Sequence, residues 1–373
     1  MIISTFFLYF LIMIVTSLLG LFSQNNKKGI ERFNIRWLLC SFFIHWFFCA
    51  FTNIGVDYPH YKNIIRYYSF SLFMEGEEIG FNGFSALLYY ITKNEDICIF
   101  FIKTLTMVLF YLGFYKLKDK IQLWMCILSY NVFLYLSGFY LISMHVAIAF
   151  VFLGAVMAYT SKKLIWSIVL AIVGFTFHAS AIVMVVCFIS IYLLEYTQGR
   201  KFNTSIFYVL IPFIFLVVLN TNVVFRFALE NVNSFEHYED YSESTKQGST
   251  GTYYYFLYTF YFPYLLLIFK SKIRMREKIS SMMFYLFGFM FGMLVYILGS
   301  GRLNMYTIVF TGITVPVLFN NVDPKYQSVK KILKIVWVLY LFVVGYQSLN
   351  TYTDRNSTSK LYQYEYFNPF ISQ

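Results

Sequence analysis

The sequence predicts an all-α polytopic membrane protein of about twelve transmembrane helices with two large extracytoplasmic loops, and three observations carry that expectation. Of its 373 residues, 59% are hydrophobic and only 13% charged, whereas a soluble domain keeps about a quarter charged to wet its surface. Apolar stretches of roughly 15 to 22 residues recur from end to end, each about what a helix needs to cross ~30 Å of hydrocarbon. Lys and Arg fall unevenly between alternate loops, as they do in inserted membrane proteins. A porin-like barrel is excluded, because its strands alternate apolar and polar residues, while Leu105 to Phe114 and Ile206 to Leu219 are apolar on every face.

In chain order the expected spans run approximately 1–22, 37–55, 97–115, 121–142, 144–160, 164–177, 179–195, 203–221, 253–269, 279–299, 303–319 and 333–350. The first has no basic residue before it, the earliest lysine being Lys27, so it lacks the charged n-region of a cleavable signal peptide and reads as a permanent helix. The pair 164–177 and 179–195 is short for two crossings and long for one. It predicts a tight helical pair turning at Phe177-His178-Ala179-Ser180. No internal repeat is visible, which counts against an inverted-repeat transporter. The organisation expected is one transmembrane domain over 1–350, with extracytoplasmic loops 56–96 and 222–252 and an extracytoplasmic tail, 351–373.

Loops 23–36, 116–120, 161–163, 196–202, 270–278 and 320–334 hold 20 of the 29 basic residues. Insertion retains such loops in the cytoplasm, which puts the other loops and both termini outside. The net charge of +11 is therefore a topology signal rather than a nucleic-acid footprint. All five cysteines lie in or beside spans without a CxxC spacing, and buried cysteine behaves as a small apolar residue.

The two long outer loops are of the length at which loops carry function. The first opens Val56-Asp57-Tyr58-Pro59-His60-Tyr61, and a helix from Pro59 to Tyr68 is expected to bring Tyr61, Arg66 and Tyr68 near one side. Glu75, Glu77 and Glu78 follow, then an apolar run, Ile79 to Ile91, too short to span and expected as a half-buried helix at the outer leaflet. The second loop is polar and acidic, with Tyr238 and Tyr241. The chain has 34 tyrosines, many at outer ends. An interfacial aromatic belt accounts for them; so does stacking on sugar rings. Ionisable groups in or beside spans are costly and hence candidates for function. His45 and Lys103 read as structural, bonding a neighbour or snorkelling. His145, His178 and Arg302 remain functional candidates.

Several fragments recur together in one family. Val56-Asp57-Tyr58-x-x-Tyr61, Glu78 before an apolar half-helix, Phe177-His178-x-Ser180-Ala181-Ile182, and Arg302 followed by Tyr306 resemble, in order, the EpsG-type branch of Wzy polysaccharide (O-antigen) polymerases. One departure matters. Where the family has Arg-Gln-x-Ile-Ala, this chain reads His145-Val146-Ala147-Ile148-Ala149, so a titratable group replaces a fixed cation.

The resemblance implies an integral-membrane glycosyltransferase of the bacterial inner membrane, with its active site facing the periplasm. It would transfer a glycan from undecaprenyl diphosphate to the terminal sugar of a lipid-linked repeat unit, in lipopolysaccharide or related polysaccharide biosynthesis. Undecaprenyl-diphosphate-linked oligosaccharide, the lipid bilayer and a chain-length regulator protein are the implied partners. No cofactor or metal is called for: the outer loops have no Asp-x-Asp, and Glu236-His237 with Asp240 is too sparse for a site. Charge building on a departing diphosphate needs cations, and arginine supplies a fixed, bidentate one. Arg302 is nominated first, Arg66 and Arg226 next, with His145 assisting. A base for the acceptor hydroxyl must reach it directly or through one water. Asp57, Glu78 and His178 are its candidates, Asp57 having an alternative role as a helix cap. Tyr58, Tyr61 and Tyr306 are assigned to substrate binding. The competing classes are a flippase or transporter of the same lipid-linked saccharide and another membrane transferase, an O-antigen ligase or acyltransferase.

Overall fold

The computed structural model describes residues 2–27, 30–68, 78–161, 164–198, 263–264, 266–268, 270–298, 305–354, 361 and 364–370. Its helices are α1 (Ile2–Ser23), α2 (Ile35–Ala50), α3 (Tyr58–Tyr67), α4 (Ile79–Thr92), α5 (Glu95–Leu117) and α6 (Leu123–Tyr130). After these come α7 (Ile142–Thr160), α8 (Ile165–Phe177), α9 (Ile182–Gln198), α10 (Met275–Leu298), α11 (Val315–Asn321) and α12 (Gln327–Thr353). Among the described residues, Thr5–Ser23, Glu95–Leu117, Ile142–Thr160, Ala179–Tyr196 and Pro324–Thr353 are long and apolar enough to cross a membrane. Shorter apolar helices cover Ile35–Ala50, Leu123–Phe139, Ile165–Phe177 and Met305–Asn321. The chain is thus a helical integral membrane protein. The expected span 203–221, most of 253–269 and the loop 222–252 lie outside the described residues, and with them the count of twelve.

The local departures from expectation have physical causes. Loop 23–36 is not plain coil: β1 (Gln24–Lys27) pairs antiparallel with β2 (Ile30–Phe33), Gln24 opposite Phe33, and the Asn34 amide donates to Ser23 O at 2.8 Å. Because α1 and α2 pack against each other, a hairpin is the shortest link that satisfies the backbone groups between them. Helix α2 stops at Ala50 rather than near residue 55, and the chain turns at Gly55. There φ is +114° and a Cβ would lie 2.9 Å from Phe139 O, a conformation that favours glycine. The stretch expected as one helix over 121–142 changes pitch twice, from α6 to a π-turn at Asn131–Tyr135 and a 3₁₀ segment at Leu136–Phe139.

Helix α7 is the axis of the bundle, buried along almost its whole length and packed on α5 and α8. Between lipid-embedded helices, close packing and hydrogen bonds hold the structure together, and both are present here. Fully buried His45 joins Tyr111 Oη (2.7 Å) and Asn131 Oδ1 (2.6 Å), while Asn131 Nδ2 donates to Met13 O (3.3 Å) and Thr16 Oγ1 (3.0 Å). A carbonyl can only accept, so the asparagine amide is fixed by Met13. His45 Nε2–H then donates to Asn131 Oδ1, and Nδ1 receives the Tyr111 hydroxyl. Four elements are tied by one satisfied network. Lys103, also buried, donates to Thr52 O at 3.1 Å and lies 5.2 Å from the centre of the Tyr58 ring.

The basic loops meet at one end of the bundle. Gln24 bonds Ile121 O (2.8 Å) and the Leu123 amide (2.7 Å), Lys120 pairs with Glu277 (3.1 Å), Arg276 with Glu195 (2.7 Å) and Lys272 with Asp323 (3.3 Å). Arg274 donates both to Glu277 and to Tyr159 O, each at 2.7 Å. At the other end of the 23-residue α5, about 34 Å away at 1.5 Å per residue, the contacts are those of α3, α4, the α8–α9 turn and the C-terminal segment.

Candidate functional site

Three short pieces of chain build the polar end. Glu78 occupies the N-cap position of α4 but makes no capping bond to its own helix, and its Oε1 lies 3.8 Å from His178 Nε2. Gly80 makes that approach sterically possible: a Cβ there would lie 2.2 Å from Thr176 Oγ1 and 2.9 Å from the Thr176 carbonyl carbon, so only glycine lets the start of α4 sit against the end of α8. His178 ends α8 in extended conformation (φ −157°, ψ 126°) and caps the following 3₁₀ turn, Ala179–Ala181. The Ser180 amide donates to His178 Nδ1 at 3.2 Å. Because an amide N–H only donates, Nδ1 carries a lone pair and the proton of the neutral ring sits on Nε2, facing Glu78. Ser180 Oγ lies 2.9 Å from His178 Nδ1 and 2.9 Å from Tyr306 Oη. A hydrogen-bonded line therefore runs from His178 through Ser180 to Tyr306, with Glu78 facing the Nε2 side of the imidazole at 3.8 Å, drawing on the N-cap of α4, the α8–α9 turn and the segment before α11.

Helix α3 forms the neighbouring wall. Tyr61 is buried, its hydroxyl 3.1 Å from Ser143 Oγ and accepting from the Ser143 amide at 3.3 Å. Burial pushes the Tyr61 phenol up to about 12, with lesser contributions from the carboxylates of Glu78 and Asp57. Tyr61 thus stays neutral. Asp57 stands at the N-cap position of α3 without a side-chain capping bond, so the cap alternative has no bond to support it. The expectation that Tyr61, Arg66 and Tyr68 share one side is corrected. Tyr61 points inward with Ile65, whereas Arg66, five residues on and so ~140° around the helix, is exposed and donates from Nε to Glu95 Oε1 at 2.7 Å. Tyr58 donates to Asp96 Oδ1 (3.0 Å) and Lys62 to Asp96 Oδ2 (2.9 Å).

His145 is placed elsewhere. It is 2% exposed, lies parallel to the Tyr130 ring with centroids 6.1 Å apart and 5.3 Å from Phe110, and its Nε2 is a buried atom with no hydrogen-bond partner. Arg226 and Arg302 lie outside the described residues. Among the described residues no cluster of three or more His, Cys, Asp or Glu side chains could hold a metal.

Glu78, His178 and Tyr306 are thus brought together, with Asp57 and Tyr61 alongside, while Tyr58 and Arg66 belong to a flanking set. Sequence reasoning did not select Ser180, Ser143, Lys62, Glu95 or Asp96. Ser180 was visible inside the Phe177-His178-x-Ser180 string; Asp96 gave no sign beyond Asn94-Glu95-Asp96 resembling an ordinary helix start, which it also is, since Asn94 Oδ1 accepts from the Asp96 and Ile97 amides.

A polytopic helical membrane protein whose carboxylates and imidazole are gathered opposite its basic loops has the organisation of an enzyme or carrier that handles a ligand at one membrane face. The sequence model of the EpsG family matches residues 35–366. The chain belongs to the EpsG family, polymerase-type membrane proteins of polysaccharide biosynthesis. The same comparisons match no curated protein and no solved structure.

Proposed function

We propose that this protein polymerises a polysaccharide by transferring a glycan from undecaprenyl diphosphate to the terminal sugar of a lipid-linked repeat unit, on the periplasmic side of the bacterial inner membrane. Family membership supports the class of protein, and the Glu78–His178–Ser180–Tyr306 line is the observation that carries the reaction. The acceptor hydroxyl oxygen attacks the anomeric carbon of the donor glycan, and the bond from that carbon to the diphosphate oxygen breaks with its electron pair on the diphosphate. The hydroxyl proton passes to Glu78. His178, held through Nδ1 by Ser180, turns Nε2–H toward this carboxylate at 3.8 Å, close enough for substrate or one water to link the two. Arg302, four residues before Tyr306 in sequence, and Arg226 supply positive charge for the departing diphosphate.

Purified protein given only the lipid-linked repeat unit is expected to make a ladder of lengthened glycans. Glu78→Gln and Arg302→Ala should each lower polymer yield by about a hundredfold or more, the usual scale for losing a base or a charge-stabilising group; Arg302→Lys should rescue poorly because lysine lacks the planar fork. An unlengthened repeat that instead crosses vesicle membranes would replace the polymerase by a flippase.

A further inference from the structure

A polar cavity of about 550 Å³ opens at the same end of the bundle. Its floor is one flank of α3, where Tyr58, Lys62 and Arg66 recur at four-residue spacing. Glu95 and Asp96 of the first turn of α5 face them, and Asn53 and Phe367 close the sides. Glu78 and His178 do not line it, and neither does the buried edge of α3 formed by Tyr61 and Ile65. Phe367 is fixed there because the C-terminal segment is bound in place: its amide donates to Phe51 O at 3.0 Å, Tyr364 packs on Phe48 and Tyr9, and Phe370 on Phe100.

The charge pattern selects the ligand. Lys62 pairs with Asp96 at 2.9 Å and Arg66 with Glu95 at 2.7 Å, so two cations face two carboxylates and the cavity is electroneutral. A phosphate would meet no net positive charge here, because each cation is already matched by a carboxylate. An uncharged sugar needs what the cavity offers: rings for its C–H face, and carboxylates and amides already oriented to exchange hydrogen bonds with its hydroxyls. Asp96 is the best oriented of these, held by Tyr58 on one oxygen and Lys62 on the other, and such preorganisation lowers the cost of binding. The volume lies within the ~300–1,000 Å³ of small-ligand sites.

We propose that this cavity is a binding subsite for uncharged sugar residues of the glycan, separate from the Glu78–His178 centre and walled in part by the C-terminal segment. The inference rests on the polymerase reading above for its ligand class. The test is binding, by saturation-transfer NMR on detergent-purified protein, of the repeat-unit oligosaccharide freed from its lipid by mild acid, with sodium pyrophosphate as a second probe. Asn53→Ala, at an exposed position, and Phe367→Ala, at a half-buried one, spare the core, and Asp96→Asn removes the central carboxylate. Each is expected to weaken oligosaccharide binding about tenfold, near 1.4 kcal/mol, and to leave pyrophosphate binding as in wild type. Oligosaccharide that fails to bind wild type, or binds all three variants equally well, overturns the subsite, as does a parallel loss of pyrophosphate. Failure of the underlying reading is distinguishable: it is the absence of a product ladder from wild-type protein, whereas a normal ladder with unchanged variant affinities rejects the subsite alone.

Discussion

Ser180 lies at the junction of the polar line, bonded through its amide to His178 and through its hydroxyl to His178 and Tyr306. Removing the hydroxyl leaves the amide bond, so the imidazole keeps its tautomer but loses its link to Tyr306. Ser180→Ala is therefore expected to slow glycan elongation about tenfold, the scale of one neutral hydrogen bond. Ser180→Thr, which keeps the hydroxyl, should retain most of the rate. Equal elongation by the alanine variant and wild type would remove Ser180 from the site. His145 contrasts with His178. Both were legible as polar residues at span ends, but a sequence does not state which rings surround a side chain. His145 lies among Tyr130 and Phe110 with Nε2 unpartnered, whereas His178 is held by bonds that fix its proton.

Among the elements, α4 illustrates what patterning can and cannot foretell. Its shortness follows from the apolar run Ile79 to Ile91, and the structure has a 14-residue helix there. Its partner does not follow. Contact with α8 depends on Gly80 lying against Thr176, a meeting of residues nearly a hundred positions apart. Gly80→Val is expected to push the start of α4 away from α8, separate Glu78 from His178 and abolish polymer while membrane insertion and expression persist. Normal polymer from this variant would show that α4 needs no such close approach. In α3, spacing arithmetic predicted the helix correctly but misjudged its inward side, because Tyr61 and Ile65 turn toward the core while Lys62 and Arg66 find acids on α5. Those acids enter only through packing.

At the scale of the whole molecule, the polar contacts among the described residues divide as the basic loops do. Gln24, Lys120, Glu195, Arg274, Arg276 and Asp323 belong to one interlinked end, and Asp57, Glu78, Glu95, Asp96 and His178 to the other. In a cysteine-free background, Asn63→Cys should therefore react with an impermeant maleimide added outside intact spheroplasts, and Lys272→Cys only after lysis; both positions are exposed. The opposite labelling would invert the orientation. Such ion pairs near a solvated surface are individually weak, so at this scale they mark topology more than they hold the bundle together.

Composition, the length of apolar runs and the partition of Lys and Arg by themselves determined that this chain is a helical membrane protein, because hydrocarbon thickness and insertion act on short stretches of sequence independently. Glu78, His178 and Tyr306 were legible through the resemblance of their local strings to those of a known family. Only the tertiary structure decided that Ser180 joins two of these, that Arg66 is already matched by Glu95, that His145 lies among aromatic rings, and that Phe367 closes a cavity begun by Tyr58. Each is a pairing between distant positions, set by which helix faces meet, and local pattern holds no record of such meetings.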